Sequence, residues 1–350
     1  MRAAILRAFG SPDGFSVETW PDPVPGPGEV LVQVHAVCVN RTDVHVLEGT
    51  NIGRGIELPH IGGLDPAGVI VACGPNVDGP PPGTAVVARP MIPCLTCRFC
   101  LDGRESVCER PSYVGVHRPG GFAELVALPA RAVFPVPTGV DHVSASVAAH
   151  SVPIALHLLE TVGQVGVGDR VLIVGAAGGV GMAAVQVARL LGATVIAAAQ
   201  GAEKRAALER LGADHVVSYD APAAFGAAVR AATGGLGATV AVDNVGSPEL
   251  WAGVLASLDK GARILTCGAH AGGHVEVDLN FFYRMQLRLL ATAGTTRDEF
   301  RRALELVADG SVRTEVHREF PLEAIVDAFR ELLGRRNRGK IVLRMETRWS

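Results

Sequence analysis

The stretch from residue 170 to residue 191 constrains the fold of this 350-residue chain most strongly. A short apolar run, Arg170–Val174, leads into a glycine-rich turn and then into an Ala-rich segment, Met182–Leu191. Residues 171–188 carry no charge and approach the length of a membrane span, but four glycines interrupt them. The pattern therefore predicts a buried strand, a loop and a helix, with no membrane span.

The alternation of apolar strand and helical stretch continues along the chain. Helical stretches such as Ala202–Leu211 separate the strands. Six strands joined by helical crossovers indicate a parallel sheet covered on both faces, with right-handed connections. After Arg170–Val174, the predicted strands are Thr194–Ala198, His215–Val217, Thr239–Val242, Arg263–Thr266 and Leu287–Ala291.

The glycine-rich turn is typical of a dinucleotide-binding loop. Gly178 and Gly181 stand at the second and third glycine positions of a G-x-G-x-x-G pattern, and Ala176 stands at the first. Glycine lets the backbone approach a pyrophosphate, and the N–H groups of the following helix, around Gly179 and Val180, face the anion. Because the loop opens a series of strands and helices, we predict dinucleotide binding here and not an ordinary turn.

The end of the second strand bears on the choice between NAD and NADP. An NAD site usually has an acid there to bind the ribose 2′-hydroxyl, whereas this chain has Ala199 followed by Gln200. Lys204 and Arg205 then suit a 2′-phosphate, and Tyr219, after the third strand, is a further candidate to lie against it. Solvated helix charges are the alternative interpretation of the two cations. We predict NADP(H).

Four cysteines within fifteen residues form the most specific motif of the sequence. Cys94, Cys97, Cys100 and Cys108 follow the spacing C-x2-C-x2-C-x7-C. Four thiolates form a closed tetrahedral zinc site, and a closed site leaves no coordination position for substrate. The motif predicts a structural zinc in a lobe at about residues 93–109. Iron–sulfur ligation and unrelated buried thiols are the alternatives.

The remaining sequence is rich in short strands before residue 150 and returns to mixed elements after residue 292. Glycines and prolines divide the first part, as in a β-structure built on turns. The strands predicted there are Val30–Val37, Val69–Ala72 and Ala85–Ala88, and the later elements are the helices Arg297–Ala308 and Leu322–Leu333 and the strand Lys340–Leu343.

Charge and cysteine usage exclude several classes of protein. The formal net charge is −3 with no basic stripe, which predicts no nucleic-acid partner and no anionic membrane surface. The apolar stretch at the N-terminus is broken by Arg7 and Gly10, too early for a signal peptide. Seven cysteines, an odd number, do not suggest a disulfide framework. We therefore expect a cytoplasmic protein.

With these motifs, the chain resembles the medium-chain dehydrogenase/reductase superfamily along nearly its whole length. The resemblance implies an α/β plus β fold: a GroES-like, β-rich catalytic domain with an inserted Rossmann domain, a doubly wound parallel sheet. It places the catalytic domain at 1–152, the NADP(H)-binding domain at 153–293 and a return to the catalytic domain at 294–350. It also implies a small-molecule substrate and a homodimer or homotetramer. The matching segments are Pro25–Val30, Gly120–Glu124, Ala176–Gly181, Asp243–Gly246 and Gly339–Leu343.

The chain departs from the zinc-dependent members at two catalytic zinc ligands. Where they carry Cys-His-Thr-Asp, this chain has Asn40–Asp43, so Asn40 replaces the ligand cysteine. Where they carry Gly-His-Glu, Leu64 replaces the ligand histidine. The Asn-Arg-x-Asp pattern resembles quinone oxidoreductases and related zinc-free reductases. Catalytic zinc stays an alternative because Cys38 precedes Asn40 by two residues on the same strand and His150 lies near the third ligand position.

The resemblance also implies a set of site residues. Candidate pocket-lining residues are Asn40, Thr42, Asp43, His45, Asp65 and His150, with structural roles as the alternative. Candidate cofactor contacts beyond the glycine loop and the second strand are Asn244, Val245, Cys267, Gly268 and Lys340. We predict an NADPH-dependent oxidoreductase that transfers hydride to an activated alkene, such as an enone or enoyl compound, or to a quinone, without catalytic zinc. An NADP-dependent alcohol dehydrogenase or ketone reductase and a non-catalytic NADPH-binding protein are the alternatives.

Overall fold

A computed structural model describes residues 1–346, and the chain divides into two compact units. The first unit contains Met1–His150, Thr296–Gly310 and the chain from Thr314 onward. The second unit contains Ser151–Thr295 and Ser311–Arg313. The junctions thus lie at 150/151 and 295/296, beside the boundaries of 152/153 and 293/294 expected from the sequence.

Strands and helices are numbered here in chain order. The strands are β1 Arg2–Leu6, β2 Phe15–Thr19, β3 Glu29–Val39, β4 Ala67–Cys73, β5 Ala85–Ala88, β6 Met91–Ile92, β7 Ser112–Tyr113, β8 Leu125–Pro129, β9 Val133–Pro135, β10 Arg170–Val174, β11 Thr194–Ala199, β12 His215–Ser218, β13 Ala238–Asp243, β14 Leu258–Thr266, β15 Arg288–Ala291, β16 Val316–Pro321 and β17 Lys340–Arg344. The helices are α1 Arg41–Glu48, α2 Arg98–Leu101, α3 His142–Leu156, α4 Gly179–Leu190, α5 Ala202–Arg210, α6 Pro222–Ala232, α7 Pro248–Ala256, α8 Leu279–Met285, α9 Arg297–Ala308 and α10 Ile325–Leu333.

The first unit is built around β3, a strand of eleven residues. Its sheet has the order β16-β17-β3-β4-β5-β9, and β8 also pairs with β3. β17 is antiparallel to β3, with Ile341 opposite Val39. The last described strand of the chain thus joins the sheet of the first unit, as the resemblance implies.

Both faces of β3 are covered towards its carboxyl end. Val37 and Val39 belong to the main hydrophobic core of the first unit. Cys38 points the other way and packs against Val143 and Val147 of α3. Because core lies on both sides, the polar residue that follows this strand is also buried.

The second unit holds a parallel sheet with the order β12-β11-β10-β13-β14-β15. The strand order reverses between β10 and β13, where Val174 lies opposite Asp243. Ligands of such doubly wound sheets bind outside the carboxyl ends of the strands at this switch point. The predicted fold class, a β-rich domain combined with a Rossmann-like parallel sheet, is confirmed.

The strand–loop–helix interpretation of residues 171–188 is also confirmed, because these residues form β10, the glycine loop and most of α4. Within residues 1–346, one helical stretch, His142–Val162, is long and apolar enough to cross a membrane. Its most apolar window is 78% buried inside the protein, as in the core helix of a globular fold.

Candidate active site and zinc lobe

Asn40 stands at the turn between β3 and α1 and is 3% exposed. Its backbone is extended, and its N–H donates to Oδ2 of Asp43 at 2.7 Å, the reciprocal contact of a capping box. The start of α1 therefore fixes Asn40 and Asp43 relative to each other.

The Asn40 amide is hydrogen-bonded at both ends. Nδ2 donates to Oδ2 of Asp65 at 3.0 Å. Oδ1 accepts a hydrogen bond from Nζ of Lys340. The side chain predicted to line a pocket thus forms the middle of a buried network.

Lys340 brings a positive charge into this network. Its Nζ lies 3.9 Å from Oδ2 of Asp65, and Asp65 is fully buried. Oδ1 of Asp65 accepts the backbone N–H of Cys38 at 2.9 Å. Burial raises the pKa of Asp65, and the Lys340 ammonium opposes this effect. We call Asn40, Asp43, Asp65 and Lys340 the buried polar cluster.

Asp43 is the second carboxylate of the buried polar cluster and is 1% exposed. Its Oδ1 accepts the backbone N–H of Gly63 at 3.2 Å. Burial and the neighbouring Asp65 carboxylate raise the pKa of Asp43 to about 7. Asp43 is therefore partly protonated at neutral pH.

Two neighbours of the cluster have no role as open metal ligands in this arrangement. Cys38 is fully buried, its Sγ lies 3.3 Å from Oγ of Ser146, and burial raises the pKa of the thiol. Leu64 is 1% exposed and offers no lone pair to a metal. A buried, protonated thiol behaves as a small apolar side chain.

The other predicted pocket residues, Thr42, His45 and His150, lie on α1 and α3 and are less buried than the buried polar cluster. Thr42 and His45 are half-buried on α1, and Nδ1 of His45 lies 3.3 Å from Oγ1 of Thr50. His150 is half-buried within α3. The structure brings together Asn40, Asp43 and Asp65, three of the predicted pocket-lining residues, in a buried network, and their role in a pocket stays a prediction. The structure adds Lys340, which the sequence analysis lists as a cofactor contact. The sequence motif around Lys340 does not show which strand β17 pairs with, so this contact was not predicted.

The four cysteines of the zinc lobe converge on one point. Their Sγ atoms all lie within 4.8 Å of one another. Cys97 Sγ lies 3.5 Å from Cys100 Sγ and 4.0 Å from Cys108 Sγ, and Cys94 Sγ lies 3.9 Å from Cys100 Sγ. A tetrahedron with Zn–S bonds of ~2.3 Å has edges of ~3.8 Å. The thiols therefore fit a zinc ion without rearrangement.

Hydrogen bonds around Cys94 favour the charged form that zinc requires. The N–H of Cys97 donates to Sγ of Cys94 at 3.3 Å, and the N–H of Cys94 donates to Sγ of Cys108 at 3.3 Å. Hydrogen bonds from Thr96 lower the pKa of Cys94 to about 5. Zinc bound here would cross-link the lobe, and its binding energy would stabilise the fold.

An ion pair connects the zinc lobe to the rest of the first unit. Glu105 accepts a hydrogen bond from Nη1 of the buried Arg89 at 2.6 Å. The same carboxylate accepts the backbone N–H of Arg297, the first residue of α9, at 3.0 Å. A carboxylate at a helix N-terminus interacts favourably with the helix dipole. Glu105 is a residue that sequence reasoning missed.

The glycine loop has the geometry of a phosphate-binding turn. Gly175 has φ +71°, which favours glycine, and Gly178 is the N-cap of α4. A Cβ on Gly181 would lie 2.5 Å from the Gly175 carbonyl oxygen, so only glycine fits there. A Cβ on Gly178 would lie 3.5 Å from its nearest neighbour, an ordinary contact. The free N–H groups at the start of α4, around Gly179 and Val180, suit an anion.

The structure places the acidic side chain of Asp220 beside the end of β11, where the sequence predicted no acid. Ala199 is buried at the end of β11 and lies opposite Ser218. Asp220, just beyond Ser218, accepts the N–H of Gly201 at 3.3 Å and a hydrogen bond from Arg205 at 2.9 Å. Hydrogen bonds from Ser218 and Arg205 lower the pKa of Asp220. The Arg205 cation predicted to face a 2′-phosphate is therefore already paired.

The remaining cofactor candidates of the second unit lie beyond the carboxyl ends of β12, β13 and β14. Oδ1 of Asn244 accepts the N–H of Cys267 at 2.8 Å, which ties the two loops together. Val245 lies beside the glycine loop, because a Cβ on Gly175 would meet its Cγ2 at 2.9 Å. Tyr219 packs edge-on against Phe225, with ring centroids 6.0 Å apart. Gly268 follows Cys267 in the same loop.

Comparison with known proteins decides the family. Residues 26–138 match the family described as alcohol dehydrogenase GroES-like domain, and residues 179–309 match the family described as zinc-binding dehydrogenase. The alcohol dehydrogenase of Geobacillus stearothermophilus is 30% identical over 351 residues, 99% of this chain and 100% of that protein. The chain belongs to the medium-chain dehydrogenase/reductase superfamily. It is an oxidoreductase of that superfamily.

Other members of the superfamily resemble the chain along its whole length. The acryloyl-coenzyme A reductase of Sulfurisphaera tokodaii is 26% identical over 346 residues, 98% of this chain and 100% of that protein. Among solved structures, an NAD-dependent alcohol dehydrogenase superposes with a TM-score of 0.94 at 36% identity, covering 99% of this chain and 100% of that one. The recognition made from sequence motifs is confirmed.

Proposed function

We propose that this protein is an NADPH-dependent reductase that transfers hydride to an activated alkene or a quinone without catalytic zinc. The observation that carries the proposal is that both polar atoms of the Asn40 amide are hydrogen-bonded within the protein. At the position where zinc-dependent members have a ligand cysteine, the amide is held between Lys340 and Asp65.

The donor set around this position does not suit a catalytic zinc. A catalytic zinc needs three protein ligands and one open position. Leu64 has no ligand atom, Cys38 is protonated and engaged with Ser146, and an ammonium group already neutralises Asp65. Asp65, even together with His150 near the third ligand position, provides fewer than the three ligands that a catalytic zinc needs.

The absence of a Lewis acid favours acceptors that disperse charge by themselves. Bound NADPH supplies the hydride, and the protein supplies orientation and charge stabilisation. Hydride addition to an alkene conjugated to a carbonyl spreads the charge into an enolate, and addition to a quinone spreads it into a hydroquinone. A simple ketone concentrates the charge on one oxygen and depends on a strong donor. The acryloyl-coenzyme A reductase described above acts, by its name, on a conjugated acyl compound, which supports the first class.

The charges around β11 support NADPH as the cofactor. Ala199 offers no acid to a ribose hydroxyl, while Lys204, Arg205 and Tyr219 lie at or just beyond the strand ends. Asp220 competes with a 2′-phosphate for Arg205, and Lys204 is a second cation on the same helix, α5.

A second candidate function is an alcohol dehydrogenase or ketone reductase. The names of the Geobacillus relative and of the superposed crystal structure favour it. The two functions differ in the acceptor that reacts and in the need for a second metal.

A steady-state comparison tests the proposal. Purified protein with NADPH is assayed with enones, quinones and unconjugated ketones, with and without a chelator that leaves the lobe zinc in place. We expect the conjugated acceptors to react faster and the rates to survive chelation. Rapid, chelator-sensitive oxidation of plain alcohols, together with two zinc ions per chain at full occupancy, would replace this proposal with the second function.

A further inference from the structure

A cavity of the first unit lies at the start of α3, away from the buried polar cluster. Its volume is about 320 Å³, and all of its lining residues belong to the first unit. Two histidines from different elements meet at this cavity, His35 of β3 and His142 of α3. Their ring centroids lie 4.4 Å apart, and the rings pack edge to face at an angle of 65°. We call these two residues the histidine pair.

The histidine pair adjoins the apolar cluster that packs α3 on β3. His35 directly precedes Ala36 in β3. His142 directly precedes Val143 in α3. Ala36 and Val143 line the cavity and also belong to this apolar cluster, which includes Cys38. A change in the separation of the two rings therefore acts on the contact between the helix and the central strand.

The surroundings of the pair favour neutral rings. Within residues 1–346, Nε2 of His142 is closed to solvent and has no hydrogen-bond partner. A protonated imidazole donates from both nitrogens, so the charged ring would bury a donor without an acceptor. Burial lowers the pKa of His142, although Asp141 and the backbone of Gly68 act in the opposite direction. Burial and the proximity of His142 lower the pKa of His35 as well.

The charged groups that line the cavity beside the pair are Arg344 of β17, Glu319 of β16 and Asp141. Arg344 is a third cation and, after burial, contributes to the lowered pKa of both histidines. Its Nη1 donates to Oε2 of Glu319 at 2.9 Å. Oδ1 of Asp141 accepts the backbone N–H of Ser144 at 2.7 Å. Both carboxylates thus already have partners, so a second positive charge on the pair would find little compensation.

We propose that the histidine pair is a pH-sensitive switch between β3 and α3. While the rings are neutral, they pack against each other and the first turn of α3 stays on the strand. When both rings are protonated, two adjacent cations beside Arg344 repel each other, and this turn separates from β3. Both side chains are half-buried, so protons reach them without unfolding of the unit. The switch does not depend on the proposed reductase function.

The switch acts on the strand that leads to Asn40. Ser146, one turn further along α3, has its Oγ 3.3 Å from Sγ of Cys38. Movement of the first turn of α3 therefore loosens the contact behind the end of β3. Because the pKa values of both histidines are lowered from 6.5, the unfolded chain binds more protons than the folded protein as pH falls below this value. Acid therefore lowers the stability through this pair.

Neutral substitutions test the titration of the pair. We compare thermal midpoints of wild type, His35→Gln, His142→Gln and the double variant from pH 5.5 to pH 7.5. His215→Gln, on an exposed histidine of β12, is the matched control. Between these pH values the wild type should lose roughly 2–4 °C more than the double variant, and the control should follow wild type. The same pH dependence in wild type and double variant would overturn the proposal.

Hydrogen–deuterium exchange of the wild type locates the change and needs no variant that folds. After correction for the intrinsic effect of pH on exchange, peptides covering 141–149 should exchange at least about threefold faster at pH 5.5 than at pH 7.5. Peptides of α4 should keep their corrected rate. Unchanged exchange in 141–149 would show that protonation does not open this turn and would overturn the switch.

A fixed charge provides an independent test. His35→Lys places a permanent cation beside His142, and His35→Gln is its neutral partner. We expect peptides covering 141–149 to exchange faster in the Lys variant than in the Gln variant already at pH 7.5, because the repulsion is then present without acid. Equal exchange in the two variants would contradict the proposed repulsion. None of these measurements uses a hydride acceptor, so their outcome is distinct from that of the proposed function.

Discussion

Asn40 contributes to the site through both its backbone and its side chain. Its backbone caps α1 through Asp43, and its side chain joins Asp65 to Lys340. The sequence comparison with zinc-dependent members identifies Asn40 as a departure, but only the structure shows that its amide is occupied at both ends. Turning this amide towards a ligand would break hydrogen bonds at both of its ends.

The raised pKa of Asp43 predicts a pH-dependent stability. Its folded pKa of about 7 exceeds the usual value of 3.8, so the folded state binds more protons than the unfolded state between these values. The contribution of Asp43 to stability is therefore complete at low pH and declines as pH rises from about 4 to about 7. Thermal midpoints of wild type and Asp43→Asn, measured from pH 4 to pH 8, should change their difference across this window. A constant difference would contradict the prediction.

Two substitutions near β11 predict opposite effects on the cofactor. Lys204→Ala should weaken NADPH binding by roughly tenfold and leave NADH nearly unchanged, since one charge-assisted contact is lost. Asp220→Asn should tighten NADPH binding by a few fold, because Arg205 is released and a like charge is removed. Fluorescence titration of both variants with both cofactors checks the pair. Equal wild-type affinities for NADPH and NADH would contradict the assignment.

The hydrogen bonds of Asp220 to Gly201 and Arg205 were not predicted from the sequence. Counting along β11 leads correctly to Ala199, which has no acidic side chain. Parallel strands bring their carboxyl ends together, and the acid therefore comes from the segment that directly follows β12. Spacing along one strand cannot reveal a side chain that is supplied by its neighbour.

At the scale of elements, two glycines of the glycine loop predict different effects, one on folding and the other on NADPH binding. Gly181→Ala should disrupt the loop and lower the thermal midpoint, because its Cβ would overlap the Gly175 carbonyl. Gly178→Ala should fold normally, since its backbone has φ −77° and its Cβ meets only ordinary contacts. It should still weaken NADPH, because the Cβ would face the approaching pyrophosphate. Gly166→Ala, with open space around the Cβ, is the matched control.

The zinc lobe predicts a metal-dependent stability. Metal analysis should find about one zinc per chain, and Cys100→Ser should lose it and lower the thermal midpoint. Lobe residues Leu95, Leu101 and Val107 are exposed, so they offer little core of their own to replace the metal. Finding no zinc in the wild type, or full zinc in Cys100→Ser, would contradict the assignment.

The bounds of an element were predicted correctly where the period of its apolar residues agreed with the turn and capping residues at its ends. The strands Arg170–Val174 and Ala85–Ala88 and the helix Arg297–Ala308 have the predicted bounds. The helix predicted over Leu322–Leu333 starts as a short 3-10 turn and becomes α-helical at Ile325. The strand predicted over Arg263–Thr266 begins earlier, at Leu258, because Gly261 with φ +80° lets it bend and continue.

At the scale of the whole molecule, the fold was predictable because its signals are local. A glycine loop, a cysteine spacing and alternating strands and helices each lie within one short segment. The place of Lys340 in the buried polar cluster was not predictable, because Asn40 and Lys340 lie 300 residues apart. The oligomeric state and the cytoplasmic location stay predictions.

Ligand binding to the folded chain gives a prediction at the same scale. NADPH should raise the thermal midpoint more than NADH at equal concentration, because a ligand at ~100 times its Kd adds about 2.7 kcal/mol to the free energy of unfolding. A thermal scan with each cofactor at matched concentration measures this. Equal shifts would argue against NADPH specificity without reference to any substrate.

The docking of β17 beside β3 also has a consequence for the order in which the protein is made. A ribosome that has translated Asn40, Asp43 and Asp65 must translate nearly three hundred more residues before Lys340 emerges. Until then the nascent first unit holds two carboxylates without their cation, and its central strand lacks one neighbour. The first unit therefore completes its central sheet only after the second unit has been synthesised in full, because β17 follows the second unit in the chain.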